Sequence, residues 1–164
     1  MKNKHVAFLG LLVALSMMLA FIESQIPPLV AIPGIKIGLP NIVVVFVLYK
    51  IGWKQAMGIS LVRVILVSLL FGSVISLSYG LCGAILSLSG MIVLKKYTSF
   101  STVSVSVVGG VLHNVGQIAV ACFLTNTAEL VYYLPMLLIS GTIAGIAIGV
   151  ISAILVNKFS KIKF

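Results

Sequence analysis

Apolar residues run along this chain in long blocks, and polar positions are largely confined to the gaps between them. Six blocks are legible: Val6 to Ser24, Ile37 to Tyr49, Trp53 to Phe71, Val74 to Leu94, Thr102 to Leu124 and Leu130 to Val156. About 20 apolar residues are what an α-helix needs to cross the hydrocarbon of a bilayer. Backbone donors and acceptors have no water there, so each segment must satisfy its own, which selects helix. The pattern predicts an all-α integral membrane protein: a six-helix bundle in one transmembrane domain over residues 1–164. The second block is short, and Pro27, Pro28, Pro33 and Gly34 precede it. An apolar stretch so rich in helix breakers is tolerated at membrane depth only where protein or a cavity covers its backbone. It is expected to cap the helix ends or to dip back into the bundle.

Composition agrees with lipid as the main solvent. Of 164 residues, 61% are apolar and 8% charged, against about a quarter charged in a soluble domain. The start, MKNKH followed by an apolar run to Ile22, lacks a small-x-small exit and reads as a retained first span. Cys82 and Cys122 lie inside apolar runs, where small buried hydrophobes are expected and neither a disulfide framework nor a metal site is implied.

The net charge of +9 arises from single or paired basic residues between apolar runs. That distribution suits anionic lipid headgroups and argues against nucleic acid. With a cytoplasmic N-terminus, Lys2, Lys4, Lys50, Lys54, Lys95, Lys96, Lys158, Lys161 and Lys163 lie inside, and the outer loops hold Lys36. The positive-inside rule thus predicts a multi-pass protein of the cell membrane with both termini cytoplasmic.

Small residues mark packing surfaces. Gly141, Gly145 and Gly149 form a GxxxGxxxG stripe, Ser76, Gly80 and Ala84 repeat the spacing, and Gly10 with Ala14 makes a shorter pair. Such stripes let helix backbones approach closely, within one fold or against a partner's helices. Of these, the first helix is the better candidate for a partner.

Ionisable residues inside a bilayer are costly and suggest function. Arg63 lies ten residues along the third segment from Trp53, about 15 Å deep at 1.5 Å per residue. It needs an internal partner such as Glu23 or backbone carbonyls, a water-filled cavity, or an anionic ligand. The densest polar cluster is GGVLHNVGQ, residues 109–117. At helical spacing Ser106, Gly110, His113, Asn114, Gln117 and Ala121 share one arc of about 100°. These groups either hydrogen-bond neighbouring helices or line a pocket. Asn41 and Glu23 lie near outer helix ends and Lys36 in the proline-rich connection, so all are candidates for one outward cavity. Glu129, Tyr132 and Tyr133 fall at the outer interface, where tyrosines form belts.

Several chemistries are excluded. There is no GxxxxGK[ST] phosphate loop, and no Cys/His set reads as zinc. The only acidic residues are Glu23 and Glu129, on different segments, whereas a magnesium-diphosphate site needs clustered carboxylates. No enzyme activity, catalytic residue, metal or cofactor is expected.

PGIKIGLPNIVVVFVLY (33–49), SLVRVILVSLLFGS (60–73), GLCGAILSLSGMIVLKK (80–96) and GGVLHNVGQIAVA (109–121) together carry a resemblance over essentially the whole chain. The sequence resembles the Gx transporter family, often labelled heptaprenyl diphosphate synthase component I. That family looks related to the S components of energy-coupling-factor (ECF) transporters. The resemblance implies an S-component-like six-helix fold that takes up a small molecule, a vitamin, cofactor or isoprenoid or quinone precursor. It also implies a transmembrane coupling subunit and ATPases as partners. S components commonly carry Ala-xxx-Ala on the first helix; here Gly10/Ala14 and Ser16/Ala20 stand instead. On this reading Arg63, His113, Asn114, Gln117, Asn41, Lys36 and Glu23 bind substrate. The label implies the other role, a non-catalytic membrane component near heptaprenyl diphosphate or quinone synthesis or a redox pathway.

Overall fold

The computed structural model describes residues 2–26 and 37–162. These form six α-helices: α1 (Lys2–Gln25), α2 (Asn41–Lys50), α3 (Trp53–Phe71), α4 (Val74–Tyr97), α5 (Thr102–Thr125) and α6 (Leu134–Lys158). A 3-10 turn, Ala128–Tyr133, leads into α6. Five helical segments are long and apolar enough to cross a membrane, and α2 is the short one. The chain is a membrane helical bundle.

The third helix runs from Trp53 to Phe71 as expected, and the others shift by up to four residues at their ends. The second begins at Asn41, not at residue 37, because Gly38 sits in left-handed backbone (φ 80°) and Pro40 occupies the N-cap. A left-handed residue interrupts a helix, and proline's missing N–H costs nothing at a helix start. The fourth helix runs one turn further, to Tyr97, carrying Lys95 and Lys96 in its last turn. The sixth starts late because 128–133 winds as 3-10 helix before Pro135 opens α6.

Helix α2 is the centre of the bundle. Val43, Val44, Val45, Phe46, Val47 and Leu48 are all buried, as befits a helix apolar on every face. Helices α1, α3 and α6 pack on it, and α3–α4, α4–α5 and α5–α6 contacts complete a ring. Its C-terminal end is tied down by Lys95, whose Nζ donates to the Leu48 carbonyl and lies 4.9 Å from the Tyr49 ring centre. A cation at the last carbonyls of a helix also complements its dipole.

The interior holds polar side chains among its apolar core, and the outside is apolar. Ser16, Ser60, Arg63, Ser87, Ser106, Asn114 and Ser152 are buried, while Leu11, Met18, Leu69, Leu70, Phe123 and Ile143 stand exposed. Exposed apolar side chains at this density are a lipid-facing surface.

The glycine stripe of α6 is consumed within the fold. A Cβ added at Gly145 would fall 2.6 Å from Val107 Cα, and one at Gly149 would fall 2.7 Å from Val103 Cα. Gly141 meets Gly110 in the same way. Backbones of α5 and α6 therefore touch along three turns, the close approach that small residues permit. Gly10 on α1 is the opposite case: nothing lies within 4 Å of its added Cβ, and Ala14 is exposed.

Candidate functional site

The site grows from the shortness of α2. Only Ile51 and Gly52 separate α2 from α3, so the two helices run antiparallel from one level. Nine steps back along α2 from Lys50 reach Asn41, and ten steps along α3 from Trp53 reach Arg63. At 1.5 Å per residue both stand about 15 Å from the lysine-bearing end. They meet there: Arg63 Nη2 donates to Asn41 Oδ1 at 3.3 Å. A 10-residue helix buried at the bundle centre cannot reach the far surface, so its N-terminus ends at mid-depth.

The turn above Asn41 is held by side chains of two other helices, α1 and α6, and by local backbone. Glu23, near the end of α1, accepts the Gly38 N–H through Oε1 at 2.6 Å. Ser16, fully buried on α1, donates to the Pro40 carbonyl at 3.3 Å. Ser152 on α6 donates to the Ile42 carbonyl at 3.4 Å. The Asn41 and Ile42 N–H groups return to the Gly38 and Leu39 carbonyls. Irregular backbone at this depth is thus satisfied by protein, as lipid cannot satisfy it.

Arg63 is 9% exposed. Beyond the Asn41 bond it is attracted by the Glu23 carboxylate, although the pair forms no direct salt bridge. Its Nε has no hydrogen-bond partner among the described residues. A buried N–H donor without a partner is rare and calls for an explanation. Glu23, Asn41 and Arg63, read from sequence as candidates for one outward cavity with Glu23 a possible partner of Arg63, lie in one cluster, with Gly38 added by the structure. The signal for Gly38 was present as a Gly two residues before a Pro at a helix start. Ser16 and Ser152 carried no signal beyond small size.

The arc on α5 divides between two neighbours. Asn114, buried, donates through Nδ2 to the Leu137 carbonyl of α6 at 2.6 Å and lies against Gly141. His113 turns to α4, where its imidazole packs on Gly83. Gln117 is half-buried one turn on. Lys36 lies outside the described residues. Consecutive helical residues point about 100° apart, which is enough to address different helices. A groove of about 450 Å³ along α4 is lined by Ser78, Leu81, Cys82, Ile85, Leu86 and Ser89, none of them expected site residues.

The Asn114 bond gives a stability prediction. Asn114→Ala removes this interhelical bond, the Leu137 carbonyl keeping its partner within α6, and is expected to cost about 0.5–1.5 kcal/mol. Thermal unfolding in detergent would register the loss, with membrane insertion unchanged.

Comparison with known proteins supports the resemblance read from the motifs. No curated protein and no solved structure matches the chain. A family model described as heptaprenyl diphosphate synthase component I matches residues 12–155. That span includes all of α2 to α5, most of α1 and α6, and every residue of the Glu23–Asn41–Arg63 cluster. The chain belongs to the heptaprenyl diphosphate synthase component I family.

Proposed function

We propose that this protein is the substrate-binding subunit of a small-molecule uptake system, resembling an S component, with its recognition centre at Glu23, Asn41 and Arg63. The observation that carries the proposal is a half-length helix ending at mid-depth beside a buried arginine whose Nε has no described partner. Transporters commonly build their sites at the bilayer midplane from interrupted helices of this kind. His113 and Gln117 on α5 and Lys36 in the connection are further proposed contacts. Asn114, spent on Leu137, holds the wall. With the lysine-bearing end cytoplasmic, the N-terminus of α2 and the Gly38–Pro40 turn face the outer side, so the ligand enters from outside. The open Gly10/Ala14 face of α1 is then the small-residue surface left for a coupling subunit that brings ATPases.

Native mass spectrometry of gently solubilised full-length protein tests this. The expected result is a co-purifying small molecule that is absent from Arg63→Met. An empty protein would reject the reading if, in addition, cells lacking it take up small molecules normally.

The family description favours a second reading, a membrane component beside a heptaprenyl diphosphate synthase. With no aspartate in the chain, it would act there without supplying the metal-binding carboxylates of diphosphate chemistry. This role predicts that the chain co-purifies with a partner enzyme and raises prenyl-chain synthesis. Neither effect is expected of an uptake subunit.

A further inference from the structure

Between Arg63 and the lysine-bearing end of the bundle stands α2 itself. Every residue from Ile42 to Leu48 is apolar, and Val43–Leu48 are buried in one cluster with Ile59, Leu88, Met91 and Val105. A polar group moving from Asn41 toward that end meets no hydrogen-bonding side chain on α2 until Tyr49, about 12 Å further at 1.5 Å per residue. Carrying it through that core without partners is strongly unfavourable. While α2 stays in place, a site at Arg63 opens only to the other side.

The two ends of α2 are fastened differently. At its start, the Pro40 and Ile42 carbonyls accept from Ser16 and Ser152, both fully buried. At its finish, all the interhelical side-chain fastenings on the page fall on residues 46–50, at the rim of the bundle. Lys95 Nζ donates to the Leu48 carbonyl and sits over the Tyr49 ring. Lys50 Nζ donates to the Ser160 carbonyl at 3.4 Å, in the turn that follows α6. In the same turn, the Phe159 ring meets Phe46 edge-on, with centroids 5.9 Å apart. A lysine-to-carbonyl bond at a wet rim is exchangeable, because water replaces the acceptor at little cost. A hydroxyl-to-carbonyl bond in the dry interior has no such substitute.

We propose that the inner half of α2 is the inner gate of the site, with Lys95, Lys50 and Phe159 as its latch. The proposal rests on ligand binding at Arg63 as set out above. The juxtaposition that carries it is an all-apolar half-helix below a buried arginine, tied at the rim by α4 and by the turn after α6.

The test uses full-length protein in membrane vesicles of either orientation, with Cys82 and Cys122 replaced by serine. Ser60→Cys is then the one reporter thiol; Ser60 is 3% exposed and lies about one turn nearer the lysine-bearing end than Arg63 on α3. A membrane-impermeant maleimide should label it slowly from both sides while the latch holds. Lys95→Met and Phe159→Ala should each speed labelling from the lysine-bearing side by about tenfold or more, because protection follows the population of the locally open form. Labelling from the opposite side should not change. Lys95→Arg keeps a donor for the Leu48 carbonyl and should stay slow. Asn114→Ala weakens the α5–α6 contact without touching the latch, so it should stay slow too.

Unchanged labelling in both Lys95→Met and Phe159→Ala overturns the gate. So does equal acceleration from both sides, or the same acceleration in Asn114→Ala, since either describes general loosening. The labelling needs no ligand. One-sided opening in a protein that carries no small molecule therefore supports the latch and rejects the binding reading alone.

Discussion

Arg63→Met is expected to abolish ligand retention and uptake while the protein still inserts into the membrane. Methionine matches much of the volume of the arginine stem but removes the donor to Asn41 and the unassigned Nε–H. Hydrogen bonds to a charged group contribute about 1.5–3 kcal/mol, so loss of one ligand bond alone weakens binding by about 10- to 100-fold. A second effect is structural: Glu23 is left without its attracting charge. Breaking a buried charge pair by removing one partner costs about 3–5 kcal/mol; partly buried Glu23 should cost less. The two effects separate in a double-mutant cycle. Arg63→Met with Glu23→Gln should recover thermal stability, because no net charge remains, but should not recover binding. Recovery of binding in the double variant would show that Arg63 acts only as a structural counter-charge.

The second large effect is expected at Gly145. Even an alanine there places its Cβ 2.6 Å from Val107 Cα, a backbone atom that has no rotamer to change. Overpacking of this kind costs about 1–3 kcal/mol, and Gly145→Leu should cost more by forcing α5 and α6 apart. Separation would also stretch the Asn114–Leu137 bond about two turns away. The readouts are a lower unfolding temperature and a broadened profile on size-exclusion chromatography. Gly10→Leu is the matched control, since open space surrounds Gly10. It should leave stability unchanged and, if α1 meets a coupling subunit, should reduce uptake without reducing ligand binding. Loss of stability in Gly10→Leu with none in Gly145→Leu would invert the assignment of the two surfaces.

The contrast between those glycines shows how far spacing alone can be read. Gly10/Ala14 and Gly141/Gly145/Gly149 carry the same small-xxx-small signal. The signal says that a backbone can approach, and it does not say which one. Similarly, helical periodicity placed His113, Asn114 and Gln117 on one arc, but an arc of 100° is wide enough to touch two neighbours. In the bundle His113 meets α4 and Asn114 meets α6.

Helix existence and membrane residence were legible because both follow from local quantities: block length, apolar content and the near absence of charge. The bounds of α3 follow directly, since Gly52 and Gly72 flank a predominantly apolar run. The depth of Arg63 was also countable from its position in that run. Glu23, 40 residues away on α1, could be named only as one possible partner, and the bond to Asn41, 22 residues away on α2, was not foreseen. Nor was it evident that the shortest apolar block would occupy the centre. Burial of Val43 through Leu48 on every side is decided by how the longer helices close around α2. The sequence by itself determined the helices, their solvent and the rarity of charge among them. Tertiary structure decided that α2 stops at the level of Arg63 and that Glu23 closes the turn above it, since both depend on contacts between helices and not on propensity within them.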